Sequence, residues 1–189
     1  MSSRSSPEGY VFGYGSLAAA PATALARGGH AAELRGCRRR WGVAMDNGRD
    51  LPGYKWYRLR ATGERPQAFV AFLDLVPGEG AVNGLCLPVD AAALRALDAR
   101  ERNYERVEVT ERIAGARVRV WTYVGSAAGR ARLARGLRER RALVSRDYRD
   151  GVERGFRALG DGALAAYRAS TDPPPPGCEV VALERVELP

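Results

Sequence analysis

The sequence is nearly without lysine. Of its 30 basic residues 29 are arginine, and Lys55 is the sole lysine. Histidine is as scarce: only His30 occurs, after Gly28-Gly29, where a loop is expected. One histidine excludes a His-Glu-x-x-His metal site. No His/Cys/Asp group has ligand spacing either, so no metal is expected. A Ser-His-Asp triad would need His30, and no serine sits in a Gly-x-Ser-x-Gly elbow. The three cysteines, Cys37, Cys86 and Cys178, are far apart and form no Cys-x-x-Cys pair. They build neither a disulfide framework nor a thiolate cluster, and they suit a reducing, cytoplasmic setting. Long apolar runs are missing too. Nothing approaches the ~20 residues of a membrane span, and the polar, Ser-rich start has no apolar signal-peptide segment. What remains for chemistry is carboxylates, tyrosines and backbone amides.

What is present describes a folded domain. The chain has 189 residues, 46% hydrophobic and 28% charged, enough to bury a core. Its net charge of +8 would suit nucleic acid or acidic lipid. Two clusters could serve: Arg38-Arg39-Arg40, and Arg130 to Arg141. The second has Leu133 and Leu137 four apart, the mark of an amphipathic helix with its arginines in water. It carries no aromatic residue for base stacking. One-sided arginine use beside many alanines reads as a coding bias. No nucleic-acid partner is therefore expected. An arginine-rich nucleic-acid-binding protein stays as an alternative, checked by salt-dependent binding.

Along the chain, Tyr10 to Tyr14 reads as a buried first strand and Ala18 to Arg27 as a short helix. Arg35 to Met45 reads as a strand, followed by turn signals at Asp46-Asn47-Gly48 and Leu51-Pro52-Gly53. Gln67 to Leu75 and Val82 to Val89 read as strands separated by a turn at Val76 to Gly80. Asp90 is an N-cap for a helix through about Arg102. Glu105 to Ile113 and Arg117 to Val124 alternate as two strands. Ser145 caps a helix with Val144, Tyr148, Val152, Phe156 and Leu159 on one face. Asp161 to Ala169 is a further helix, Asp172 to Gly177 an extended connector, and Cys178 to Leu188 an edge strand. Strands first and helices last is an α+β order. Residues 1–9 are expected as a disordered tail, 10–171 as one domain, and 172–189 as a Pro-rich connector and extension.

Three constellations carry chemistry. Gly13-Tyr14-Gly15-Ser16-Leu17-Ala18 matches a permissive dinucleotide fingerprint, with Glu33 twenty residues on. The fingerprint needs a full helix and a parallel strand next, and Pro21 and Gly28-Gly29 leave room for neither. A turn whose glycines let a ligand approach the backbone fits better; its N–H groups would bind an anion or a carbonyl oxygen. Second, Glu101 falls angularly between Leu94 and Leu97 on the apolar face of its helix. Either the helix frays first, or an arginine pairs with Glu101, or it is a partly buried acid with a raised pKa, poised for proton transfer. Third, Tyr148 lies on the apolar face of the helix after Ser145, as a core residue or as a ligand contact.

Together these pieces resemble the γ-glutamylcyclotransferase family and its AIG2-like and ChaC-like relatives. Phe12-Gly13-Tyr14-Gly15-Ser16-Leu17 is similar to its substrate loop. Leu34-Arg35-Gly36-Cys37-Arg38-Arg39-Arg40-Trp41 resembles its second strand. Val82-Asn83-Gly84-Leu85, then Leu94-x-x-Leu97-Asp98-x-x-Glu101-x-x-Tyr104, resembles the strand and helix that bear its catalytic glutamate. Ser145-x-x-Tyr148-x-x-x-Val152-x-x-Gly155-Phe156 is similar to its C-terminal helix. The resemblance implies a small mixed β-barrel flanked by helices, acting without a cofactor. It implies Glu101 as general acid/base, and Tyr14, Gly15, Ser16, Leu17, Tyr104 and Tyr148 as the substrate pocket. The implied substrate is a small γ-glutamyl amide, converted to 5-oxoproline and a free amine. A non-catalytic ligand-binding module on the same fold is the alternative. Two segments depart from the pattern, Tyr54-Lys55-Trp56-Tyr57 and the Pro-rich tail, and could alter the substrate or close the pocket. Arg102 stands where many relatives have glycine.

Overall fold

The computed structural model describes residues 7–187, apart from 51 and 53. Parts of the expected N-terminal tail and of the Leu51-Pro52-Gly53 turn lie outside the described residues. Among the described residues nine strands are formed: β1 (Gly9–Gly13), β2 (His30–Asp46), β3 (Lys55–Leu59), β4 (Phe69–Val89), β5 (Tyr104–Glu108), β6 (Val120–Gly125), β7 (Ala142–Ser145), β8 (Cys178–Val181) and β9 (Leu183–Glu187). Five helices join them: α1 (Pro21–Ala26), α2 (Ala91–Arg100), α3 (Ala127–Arg138), α4 (Arg146–Ala158) and α5 (Asp161–Ala169). Single 3₁₀ turns cover Ser16–Ala18 and Thr110–Arg112. No helix among the described residues is long and apolar enough to cross a membrane.

The expected α+β architecture is present as a seven-stranded mixed sheet flanked by helices. Its path is β5-β6-β1-β4-β7-β8, with β2 running along β4. An isolated bridge between Leu34 and Ile113 ties β2 back to the segment after β5. That contact completes the circuit β2-β4-β1-β6-β5 and gives the sheet its barrel form. Strand β4 is the axis. Its first residues, Phe69 to Leu73, are almost all apolar and are buried, as expected for a strand covered on both faces. It pairs with β7 at that end, with β1 at the other, and with β2 throughout.

The turn expected at Val76 to Gly80 does not reverse the chain. Partner registers step from Arg35↔Ala81 to Cys37↔Pro77, so Gly78 to Gly80 bulge out of one continuous strand. Strand β2 is longer than expected and runs past both halves of β4, so the extra residues are absorbed as a bulge. Gly36 opposes this bulge with φ +71°, a backbone that glycine adopts without a Cβ clash. His30, expected in a loop, is the first residue of β2 and packs edge-on against Tyr10 at 5.0 Å.

The caps read from the sequence hold. Asp90 accepts from the Ala93 N–H at 2.8 Å, and Ser145 accepts from the Tyr148 N–H at 3.3 Å. Val144 belongs to β7 and not to the helix face, because the strand runs directly into its own cap. The arginine clusters are tied internally. Arg39 is fully buried against the stacked Phe156 and Tyr167 rings, 5.1 and 4.5 Å from their centroids. It donates to the Tyr167 and Asn83 carbonyls. Arg38 pairs with Asp172 at 2.6 Å. Arg130 and Arg132 of α3, expected in water, reach Asp74 and the Ala44 carbonyl.

The two segments that fit no family pattern pair with each other. β3 and β9 form a separate antiparallel ribbon, with Lys55 opposite Glu187 and Tyr57 opposite Arg185. Tyr57 and Leu183 pack on Val43, Val70 and Phe72 of the main sheet. Fully burying side chains of this size contributes about 1.5–3 kcal/mol each, which holds the ribbon against the barrel.

Candidate active site

Strand β1 ends at Gly13, and the chain turns through Tyr14 and Gly15 into the 3₁₀ turn at Ser16. Strand β1 lies between β4 and β6, so this loop emerges at a fixed point at the sheet end. Gly15 has little room beside it. A Cβ there would sit 3.1 Å from the Tyr148 hydroxyl oxygen, tighter than ordinary contact. Neither the Gly15 nor the Ser16 N–H donates to a backbone carbonyl of another described element. Such groups at the start of a helical turn have no partner within it.

Glu101 comes from the other side. It is the C-cap of α2, with φ −88° and ψ 50°, so the helix ends one residue before it. The expected place on a helix face is therefore corrected. Its own N–H still donates to the Leu97 carbonyl at 2.8 Å, and its carbonyl accepts from the Tyr104 N–H at 2.9 Å. This tight exit turns the side chain inward, and it is 14% exposed.

The loop and the glutamate meet. Tyr14, Gly15, Ser16, Leu17, Glu101, Tyr104 and Tyr148 line one narrow cavity of about 30 Å³, with Leu73 and Tyr123 completing its wall. All seven residues singled out from the sequence are thus brought together. They come from three distant stretches of chain.

The hydrogen bonds fix what each group can offer. The Tyr14 hydroxyl donates to the Tyr123 carbonyl at 2.7 Å, and the Tyr104 hydroxyl donates to the Leu73 carbonyl at 2.8 Å. Both phenols have spent their protons, so each oxygen faces the cavity as an acceptor. Tyr148 stacks edge-on with Trp41 and Phe72. Burial pushes all three phenols above the ordinary tyrosine range. They stay neutral at any physiological pH.

Glu101 accepts no hydrogen bond from a described cavity residue. Among the described residues its one ion-pair contact is its chain neighbour Arg100, at 3.2 Å. Burial pushes its carboxyl above the ordinary range, against the opposing pull of Arg100, Lys55 and Arg185. This is a desolvated acid with little to hold its charge.

Two of these cations were not read from the sequence. Lys55 and Arg185 belong to the β3–β9 ribbon, and pairing between residues 130 positions apart leaves no local signal. One signal existed for Lys55. Lys55 is the sole lysine of the chain, which sets it apart in the composition. Leu73 and Tyr123 were missed as ordinary strand residues.

A barrel-like mixed sheet with a buried carboxyl beside a glycine loop defines an α+β protein with a small carboxyl-lined cleft. The family described as "Gamma-glutamyl cyclotransferase, AIG2-like" matches residues 11–150, and the chain belongs to that family. Its fold is similar to that of YkqA from Bacillus subtilis, at TM-score 0.52 and 18% identity over 85% of this chain. The match covers 52% of YkqA, so the chain spans about half the length of that protein. A γ-glutamyl cyclotransferase gives TM-score 0.51 and 13% identity, covering 89% of both chains. The yeast γ-glutamyl cyclotransferase specific to glutathione gives 0.52 and 14%, covering 86% of this chain and 96% of its own. At these identities the likeness is one of fold. No curated protein sequence matches the chain.

Proposed function

We propose that this protein converts a γ-glutamyl amide into 5-oxoproline and a free amine, with Glu101 as the single acid/base. The observation that carries this reading is the Glu101 carboxyl itself, buried in the cavity beside the Tyr14 to Leu17 loop and held there by no cavity donor. Its partner Arg100 is 45% exposed and does not line the cavity, so on the cavity side the carboxylate stays open to a substrate proton.

The chemistry follows from the groups present. The substrate α-amine, with a pKa of about 8, is largely an ammonium at neutral pH. The Glu101 carboxylate takes one of its protons. The freed nitrogen attacks the γ-carbonyl carbon of the same molecule, a five-membered ring forms, and the amide C–N bond breaks. The first proton passes from Glu101 to the leaving nitrogen as that bond breaks; the carboxylate then takes the second proton from the ring nitrogen, which leaves a neutral lactam, and gives it to the released amine, so one residue is base and acid in turn. Burial raises the Glu101 pKa toward that of the amine, which makes it a stronger base. The Tyr14 and Tyr104 oxygens, left as acceptors, suit the ammonium. The Gly15 and Ser16 N–H groups suit the substrate carboxylate or the developing oxyanion. Nucleophile and carbonyl share one molecule, so the cleft has only to hold the chain folded for ring closure. The family membership supports the same reaction.

The test is 5-oxoproline release from a panel of γ-glutamyl amino acids, γ-glutamyl peptides and γ-glutamyl alkylamides. Release by the wild type and its loss in Glu101→Gln are expected. A folded wild type that binds these compounds without releasing 5-oxoproline would instead make the cleft a binding site.

A further inference from the structure

A second, larger cavity adjoins the cleft. It measures about 350 Å³ and meets the cleft at Ser16 and Tyr148, which line both. Its far wall is the β3–β9 ribbon, which supplies Lys55, Tyr57 and Arg185.

The charges around this cavity are nearly all spoken for. Arg60 pairs with Asp147 at 2.9 Å, Glu184 with Arg58 at 2.9 Å, and Arg185 with Glu187 at 2.5 Å. Lys55 is the exception. Among the described residues it has no hydrogen-bond or ion-pair partner. Its ammonium lies instead over the Phe72 and Tyr54 rings, 4.8 and 5.5 Å from their centroids. Glu101 and Arg100 at the end of α2, and Arg185 and Glu187 on β9, are the charged groups that act on it. A partly buried cation next to a catalytic cleft, with every nearby carboxylate engaged or out of reach, is an incomplete ion pair.

We propose that the larger cavity is a leaving-group subsite and that Lys55 receives a carboxylate carried by the departing amine. The inference rests on the reaction proposed above. The γ-glutamyl end occupies the cleft at Glu101, and the group beyond the scissile amide extends past Ser16 and Tyr148 toward the ribbon. An amino-acid leaving group carries its carboxylate one carbon from the departing nitrogen. That anion would complete the pair with Lys55. The ribbon is thus a specificity element, and it sets this chain's preference for anionic over neutral leaving amines.

The test compares γ-glutamylalanine with γ-glutamyl ethylamide, which is the same amide without the carboxylate. Wild type should prefer the acid in kcat/KM, chiefly through KM. Lys55→Met should reduce the ratio between the two substrates by roughly 10–100-fold, the size of a charge-assisted hydrogen bond. Lys55→Gln serves as the second variant if the first is poorly folded. A parallel fall with both substrates that leaves the ratio unmoved would overturn the proposal, as would an unchanged wild-type ratio in either folded variant. Calorimetric binding of the same two compounds in the Glu101→Gln background reads the subsite without turnover. If wild type releases no 5-oxoproline, the reaction fails. A preference for the acid that disappears with Lys55 would then still support the subsite, and its absence would refute it.

Discussion

Lys55 and Glu101 line adjoining cavities that share Ser16 and Tyr148, close enough to shift each other's titration yet not in ion-pair contact. Burial acts on both in the direction of neutrality. It raises the acid and lowers the base, to about 8 for Lys55. Joining them would quench both. Kept apart, each is free for a substrate group.

The Glu101 carboxyl has a sign that can be measured. Its folded pKa is raised, so the folded state binds more protons than the unfolded one above the unfolded value. Stability is lost as pH rises from the unfolded pKa through the folded one, and the loss is complete beyond it. Glu101→Gln removes this cost, so the variant should be at least as stable as wild type in urea melts at neutral pH. Its turnover should fall by roughly 10²–10⁴, the usual scale of acid–base catalysis. A variant clearly less stable at pH 7 would show Glu101 to be an ionised structural partner.

Lys55 has the opposite charge type and the complementary slope. Its folded pKa of about 8 lies below the unfolded 10.5. The folded state therefore binds fewer protons between these values, and this contribution to stability grows as pH rises through that window. Lys55→Met removes a buried ammonium and should be more stable than wild type at pH 7. That advantage should shrink by about pH 10. Paired melts at the two pH values check it, and a difference independent of pH would contradict it.

Asp74 is structural. It is fully buried and accepts from the Leu75 N–H at 2.7 Å, the Gly125 N–H at 2.6 Å and the Arg130 Nε–H at 3.0 Å. It joins β4, β6 and α3 at one point. Asp74→Asn turns a donor toward these donors and removes the charge, for a loss of about 2–4 kcal/mol. Chemical unfolding measures it, and a loss under 1 kcal/mol would mean the network repacks.

Gly36 of β2 faces the bulge in β4. At φ +71° a side chain costs about 1–2 kcal/mol. Space is not the obstacle, since the nearest atom to a Cβ is the Arg112 guanidinium at 3.6 Å. Gly36→Ala should lower stability by that amount while 5-oxoproline release survives. An unchanged melting midpoint would show that β2 shifts register to relieve the strain.

The sequence by itself determined the α+β order, the capped helices, and the seven residues that line the cleft. Glu101, Tyr148 and the Gly15 turn rested on local rules, a period, a cap, a glycine where the backbone must come close; Leu17 and Tyr104 rested on the order of motifs that resembles the family. Glu101 was reached by helical spacing although α2 stops at Arg100, because the carboxyl is directed inward by the turn that ends the helix. Tertiary structure decided what no local rule contains. Gly78 to Gly80 signal a turn, and they become a bulge because β2 runs past them on both sides. Arg39 reads as a basic patch residue, and it is buried because Phe156 and Tyr167 close over it from helices more than a hundred residues away. Lys55 meets the cleft only because β9 returns from the C-terminal end to pair with β3. Composition had marked Lys55 as singular. Pairing across the whole chain placed it at the site, since a cation's role is fixed by the charges and surfaces around it in space.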